Sequence, residues 1–243
     1  MLEYNRLSEI INILSEKKSS SVRELAQKLY VSDATVRRDL NLLEKQGHVR
    51  RVFGGVILLE SDQKDLPFYG HTTLENSKET IALKAIELIK NGDVLMIDAS
   101  STSNALIRHL NRFKGLTIIT NSALTAGGLQ ELDARVFVTG GFMPRNSQGF
   151  VGNFAESMVR NYNADLFFFS CTALSYEGIV SDAASEEMSI RQVMMRQCRK
   201  RVLLADSSKF GHEQTFNVCS LDEVDVLISD APFPGRGKEK QLL

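Results

Sequence analysis

The chain is poor in cysteine: among 243 residues it has only Cys171, Cys198 and Cys219, an odd number with no C-x-x-C pair. That excludes a disulfide framework and a cysteine-built zinc site, and no metal or cofactor is expected. No apolar run reaches the roughly eighteen residues of a membrane span. The first residues are polar and amphipathic, without the apolar stretch of a secretion signal, so a cytoplasmic protein is expected. Net charge is also nearly absent, at −1 from 29 basic and 30 acidic residues. There are no internal repeats and no low-complexity segment.

What is present is unevenly placed. Residues 1–55 hold ten Lys and Arg against seven Asp and Glu, whereas the remainder holds 19 against 23. Only the N-terminal part has the basic excess expected of a phosphate-binding module. The excess is modest, so useful affinity for double-stranded DNA calls for two copies, hence a homo-oligomer (dimer or tetramer) on repeated half-sites. With 43% hydrophobic residues, the chain can bury the cores of one or two domains.

Residues 5–17 read as a first helix, with Leu7, Ile10, Ile11 and Leu14 inward. Ser21-Val22-Arg23-Glu24 is a capping box that opens a second. Ser32 is placed to cap a third, in which Val36, Leu40 and Leu43 recur at i, i+4 and i+7. Thr35, Arg37, Arg38 and Asn41 then face outward, toward phosphates and base edges, with Ser21, Ser32 and Asp33 at the helix starts. Gly47 reads as a helix stop. Two β-prone runs around Gly54-Gly55 follow and read as a hairpin, a basic wing carrying Arg50 and Arg51.

From Ser77 the pattern becomes alternating helices and short continuous apolar strands, the mark of a mostly parallel sheet covered on both faces. The expected boundaries are a winged helix-turn-helix domain at 1–58, a linker at 59–76, an α/β effector domain at 77–231 and a flexible tail at 232–243. The tail reading rests on Pro232, Pro234, Gly235 and Gly237. Ligands of such sheets bind at the carboxyl ends of strands. Small polar residues gather at four of these ends: Asp98 with Ser100, Ser101 and Thr102; Thr120-Asn121; Gly140-Gly141; and Asp206 to Gly211, where Lys209 can neutralise an anion. Lys78, early in the domain's first helix, is a further candidate. The pattern points to a small phosphorylated, hydroxyl-rich ligand.

These residues resemble the DeoR family of bacterial transcriptional repressors. The likeness runs through Leu25-Ala26, Ser32, Thr35 to Leu40, Leu43-Glu44, Gly47 and the Arg51-Val52-Phe53-Gly54-Gly55 wing. It continues through Asp98 to Thr102, Thr120 to Ser122, Gly140-Gly141, Asp165, Gly178, Glu186 and Asp206 to Gly211, covering residues 1 to about 230. The resemblance implies a winged helix-turn-helix joined to a phosphosugar-isomerase-like α/β domain that senses a sugar phosphate. One departure is Ser101-Thr102-Ser103, where many members carry Gly-Thr-Thr. The expected function is a transcriptional regulator, a repressor of sugar-metabolism genes, and not an enzyme. Two alternatives remain open. One is a phosphosugar isomerase with an accessory DNA-binding domain, using Glu186, Asp98 and Lys209, although no His–carboxylate pair or activated nucleophile is evident. The other is a purely structural nucleoid-type binder.

Overall fold

A computed structural model of the chain describes residues 6–7, 10, 13–14, 17, 19–45, 49–52, 55–58, 72–129, 132–145 and 147–242. The chain divides into two units, Met1–Leu74 and Glu75–Leu243.

In the first unit the described residues between 6 and 17 are helical and form α1. They are followed by β1 (Ser19–Ser20), α2 (Val22–Leu29), α3 (Asp33–Lys45), β2 (Val49–Val52) and β3 (Gly55–Leu58). The helical spacing of apolar residues pays off in one small core. Leu7, Ile10 and Leu14 of α1 meet Leu25 and Leu29 of α2, Val36, Leu40 and Leu43 of α3, and Val49 and Val56 of the wing. The wing strands pair antiparallel, and β1 adds a third strand on the far side of β3. Asp39 lies fully buried among these apolar side chains. Arg6 answers it with two hydrogen bonds, Nε to Oδ2 at 2.5 Å and Nη2 to Oδ1 at 3.0 Å, pinning α1 to α3. Ile11, Gly47, Phe53, Gly54 and residues 59–71 of the expected linker lie outside the described residues.

Helix α4 (Thr72–Ala85) spans the boundary, and the second unit then places β4 (Val94–Ile97), α5 (Ser101–Asn104), β5 (Leu116–Thr120), α6 (Ala123–Gly128), β6 (Ala134–Val138), α7 (Asn153–Val159) and β7 (Ala164–Phe169). A short antiparallel sheet of β8 (Ala173–Leu174), β9 (Ile179–Asp182) and β11 (Phe216–Ser220) brackets α8 (Ser185–Arg196) and β10 (Cys198–Leu204). The last strands are β12 (Val226–Ile228) and β13 (Gln241–Leu242). The main sheet has the order β13-β12-β10-β7-β4-β5-β6, and its pairings are parallel throughout.

Alternation along β7 shows why its strand is continuously apolar. Phe167 and Phe169 stack at 4.9 Å and join Ala155, Val159, Ile190 and Met194 on one face. Phe168 joins Ile81, Ala85, Leu106 and Leu110 on the other. Both faces are covered, so no polar side is needed. The strand order reverses at β4: the chain runs outward through β5 and β6, then returns to lay β7 on the other side. The crevice beyond the ends of β4 and β7 is therefore the topological switch point, where ligands of such sheets collect.

Three differences from the sequence reading have local causes. After β4 the alternating pattern calls for a helix, and the chain instead makes a single α turn, Ser101–Asn104, that tightens into a 3-10 stretch, Ala105–Arg112. The sheet of β8, β9 and β11 was not foreseen, because strands as short and mixed as Ile179–Asp182 carry no clear period. The expected flexible tail at 232–243 is corrected. Phe233 is 2% exposed and packs edge-on against Phe210 at 5.0 Å. Gln241 bonds Phe233 N–H at 2.7 Å through its oxygen and the Ala231 carbonyl at 2.7 Å through its nitrogen, and β13 pairs with β12. Proline and glycine shape the return, but one buried aromatic anchors it. Among the described residues no helix is long and apolar enough to cross a membrane.

Candidate functional site

The first unit builds a polar surface from two capped helix starts. Ser21 Oγ accepts from Glu24 N–H at 3.2 Å while Glu24 Oε2 accepts from Ser21 N–H at 2.9 Å, the reciprocal capping box. These bonds hold the Glu24 carboxyl below its ordinary pKa. Tyr30, in left-handed backbone, turns the chain and stands 94% exposed, a surface aromatic the sequence reading passed over. Ser32 Oγ then accepts from Thr35 N–H at 3.2 Å, so Ser32 caps α3 as expected. Beyond it Asp33, Arg37, Arg38 and Asn41 are exposed and Thr35 is half-buried. Val36, Leu40 and Leu43 are buried on the opposite side. Arg50 and Arg51 are exposed on β2.

In the second unit the candidates separate into two groups. Ser100 caps α5, its Oγ accepting from Ser103 N–H at 3.1 Å. The first backbone bond of that turn is Asn104 N–H to the Ser100 carbonyl, so the N–H groups of Ser101 and Thr102 have no carbonyl within it. Lys209 reaches across from the end of β10. Its Nζ donates to Thr102 Oγ1 at 3.4 Å and to Ser170 Oγ at 2.7 Å, and lies 3.5 Å from Asp206 Oδ2. Thus Ser101, Thr102 and Lys209 come together at the switch point with Ser170, at the end of β7. Ser170 was missed because one serine after a phenylalanine run gives no signal of its own.

Among the other candidates Asp98, Thr120 and Asn121 are turned inward. Asp98 accepts four hydrogen bonds, from Ser100 N–H and Oγ, Ser170 N–H and Arg191 Nε. Thr120 Oγ1 donates to the Ile97 carbonyl at 2.7 Å and accepts from Ser122 N–H at 3.0 Å. Asn121 Nδ2 donates to the Phe150 carbonyl at 3.0 Å, while its buried Oδ1 has no partner among the described residues. Gly140 and Gly141 have φ of +60° and +115°, and a Cβ on Gly141 would stand 2.8 Å from the Val151 carbonyl oxygen. Gly141 thus serves the close approach of the loop to Val151 and the start of α7, whereas a Cβ on Gly140 would meet nothing within 4 Å. Lys78 is half-buried on α4.

Behind the switch point lies a buried ion cluster that the sequence did not announce. Arg191, on α8 and 5% exposed, donates through Nε to Asp98 at 2.8 Å, through Nη1 to Asp182 and through Nη2 to Glu187 at 3.1 Å. Glu187 also accepts from Ser147 Oγ at 2.8 Å, which ties in the loop after β6. Burial works against the guanidinium charge, but Asp182, Asp98 and Glu187 outweigh it and push the Arg191 pKa up. Burial also raises Asp182, with Arg191 opposing. Cys171, beside this cluster, is pushed up to about 12 by burial and is an unreactive thiol.

Comparison with known proteins agrees over both units. Residues 6–62 match the family described as DeoR-like helix-turn-helix domain, and residues 74–231 the family described as DeoR C terminal sensor domain. The HTH-type transcriptional regulator GolR of Listeria innocua is 33% identical over 95% of this chain and 91% of its own. The lactose phosphotransferase system repressor of Staphylococcus epidermidis is 31% identical over 95% of this chain and 93% of its own. Among solved structures, ribose 5-phosphate isomerase A of Methanocaldococcus jannaschii is similar over 57% of this chain and 55% of its own, with a TM-score of 0.43 and 16% identity. With capped helices and wing in the first unit, a sensor domain in the second, and relatives matched along nearly the whole length, the chain belongs to the DeoR family of DNA-binding transcriptional regulators.

Proposed function

We propose that this chain is a repressor of sugar-metabolism genes whose affinity for its operator is controlled by a phosphorylated sugar. The observation that carries the sensor reading is Lys209 meeting Thr102 and Ser170 at the switch point. A cation, the Thr102 hydroxyl and the N–H groups of Ser101 and Thr102 are the donors a phosphate requires, while Ser170, whose hydroxyl donates to the Leu204 carbonyl, holds the Lys209 ammonium in place. Ser100 and Asp98 hold that loop in shape, with Thr120, Asn121, Gly140 and Gly141 around it and Lys78 as a second cation. The Staphylococcus relative, named as a repressor of a lactose phosphotransferase system, supports a carbohydrate-linked role.

On the DNA side, Ser21, Ser32, Asp33, Thr35, Arg37, Arg38 and Asn41 form the face that enters the major groove, and Arg50 of the wing meets a phosphate. The protein works as a cytoplasmic homo-oligomer, dimer or tetramer, on paired half-sites, since one unit's basic excess is small. Regulation without turnover is supported by the saturation of Asp98 and by Glu186, exposed and bonded to Ser185. Neither is poised to move a proton at the switch point. A coupling of about 1–3 kcal/mol between the sites, roughly 5–150-fold in affinity, is enough for a genetic switch.

The test is a thermal-shift screen against a panel of sugar phosphates. A ligand that binds only the folded state stabilises it by about 2.7 kcal/mol at a hundredfold excess over Kd. One selective hit that also changes operator affinity is the expected result. A flat panel, with the protein shown to be folded, overturns the sugar-phosphate reading and leaves DNA binding untouched.

A further inference from the structure

Arg50 and Arg51 are neighbours on β2, so their side chains leave on opposite faces. Val49 is 1% exposed, and Arg51, two residues on, shares its face. Arg51 therefore turns over α3 and Arg50 away from it. The Arg51 Nη2 donates to Asn41 Oδ1 at 2.7 Å and to the Arg37 carbonyl at 3.1 Å. Its backbone N–H donates to Glu44 Oε1 at 3.0 Å, and its Nε lies 3.7 Å from Glu44 Oε2. Arg37, Asn41 and Glu44 are spaced four and three residues apart, one row along the helix. A single wing side chain thus grips three successive positions of α3.

We infer that Arg51 is a positioning residue, not a phosphate contact, and that it fixes which base edges Asn41 can read. This rests on α3 being the helix that enters the groove. An asparagine amide free to turn offers an acceptor and a donor side by side, the pair that matches adenine. With Oδ1 held by the guanidinium, Asn41 turns only its NH₂ outward. The opposite amide orientation would set NH₂ hydrogens against the cation, so charge alone decides the assignment. Two donors suit acceptor edges, the N7 and O6 of guanine or the O4 of thymine, and do not satisfy adenine's paired donor and acceptor.

The experiment is selection of binding sites from a randomised double-stranded DNA pool by the full-length protein and its variants. The wild type is expected to prefer guanine or thymine at one position, and Asn41→Ala to lose that preference. Arg51→Ala should admit adenine there, shrinking the discrimination by roughly fivefold or more. It should leave the dependence of affinity on salt unchanged. Arg50→Ala should instead reduce the salt slope by about one without changing the base preference. Arg51→Lys keeps a donor on Oδ1 and should restore the discrimination. Asn41→Asp keeps Arg51's partner while removing both donors, so it should fold as the wild type and lose the preference.

A reduced salt slope in Arg51→Ala with base preference intact overturns the proposal, as does a preference retained in Asn41→Asp. If Arg37→Ala and Arg38→Ala also leave the selected sequence unchanged, it is the groove assignment of α3 that has failed.

Discussion

The Nε of Arg191 lies 2.8 Å from Oδ2 of Asp98, joining α8 to the end of β4 through the interior of the sensor domain. The same guanidinium holds Asp182 and Glu187. One cation therefore neutralises carboxylates from three separate segments. Removing it leaves Asp98 and Asp182 buried and unpaired. Arg191→Met, which keeps the volume and drops the charge, should cost about 3–5 kcal/mol of sensor-domain stability. Urea denaturation followed by fluorescence reads this directly, and a loss below about 1 kcal/mol would mean that the cluster relaxes or takes in water.

Asp182 gives that cluster a pH signature. Burial raises its carboxyl pKa, with Arg191 opposing. Below the ordinary carboxyl value both folded and unfolded chains hold the proton. As pH climbs from there to the raised folded value, the unfolded chain releases its proton first, so Asp182 contributes less and less to stability. The stability of the wild type relative to Asp182→Asn should therefore fall as pH rises across that window. Denaturation midpoints at a series of pH values measure it. A difference that grows in the wild type's favour would show that attraction to Arg191 overrides burial.

Lys209 should separate sensing from DNA binding. Its ammonium is held by two hydroxyls at the switch point, and it lies in a different unit from the helix-turn-helix. A hydrogen bond to a charged group contributes roughly 1.5–3 kcal/mol, so Lys209→Met should weaken sugar-phosphate binding by about 10–150-fold. Operator affinity without effector should be unchanged. Isothermal titration and a DNA mobility shift test the two halves, and an undiminished sugar-phosphate affinity would move the phosphate elsewhere.

The parts legible in the sequence were those with short-range causes. Ser32 and the Ser21–Glu24 box announce helix starts because the capping groups are three residues apart, and Val36, Leu40 and Leu43 announce a buried face by their spacing. The run Leu166 to Phe169 announces a strand covered on both sides. What could not be read is what depends on distant segments meeting. Asp98 at a strand end suggests a ligand contact, yet Arg191, 93 residues away, claims it. Gly140-Gly141 at a strand end suggests a ligand contact, yet at Gly141 it is the Val151 carbonyl that stands close. Arg51 reads as a wing charge until Asn41 is found beneath it.

The C-terminal segment offers the sharpest contrast between composition and packing. Phe233 is 2% exposed between two prolines that are both exposed, and its ring meets Phe210 and Tyr176. Its backbone N–H is held by Gln241 at 2.7 Å, which seats β13 beside β12. Phe233→Ala should remove about 3–5 kcal/mol, as for a buried ring in a core. Pro234→Ala should stay within about 0.5 kcal/mol, as for an exposed position. Phe210 lies one residue after Lys209, so loosening this corner should also reduce the thermal shift produced by a sugar phosphate. Equal, negligible effects of both substitutions on the denaturation midpoint would show that the segment is held by its backbone pairing and that the ring contributes nothing.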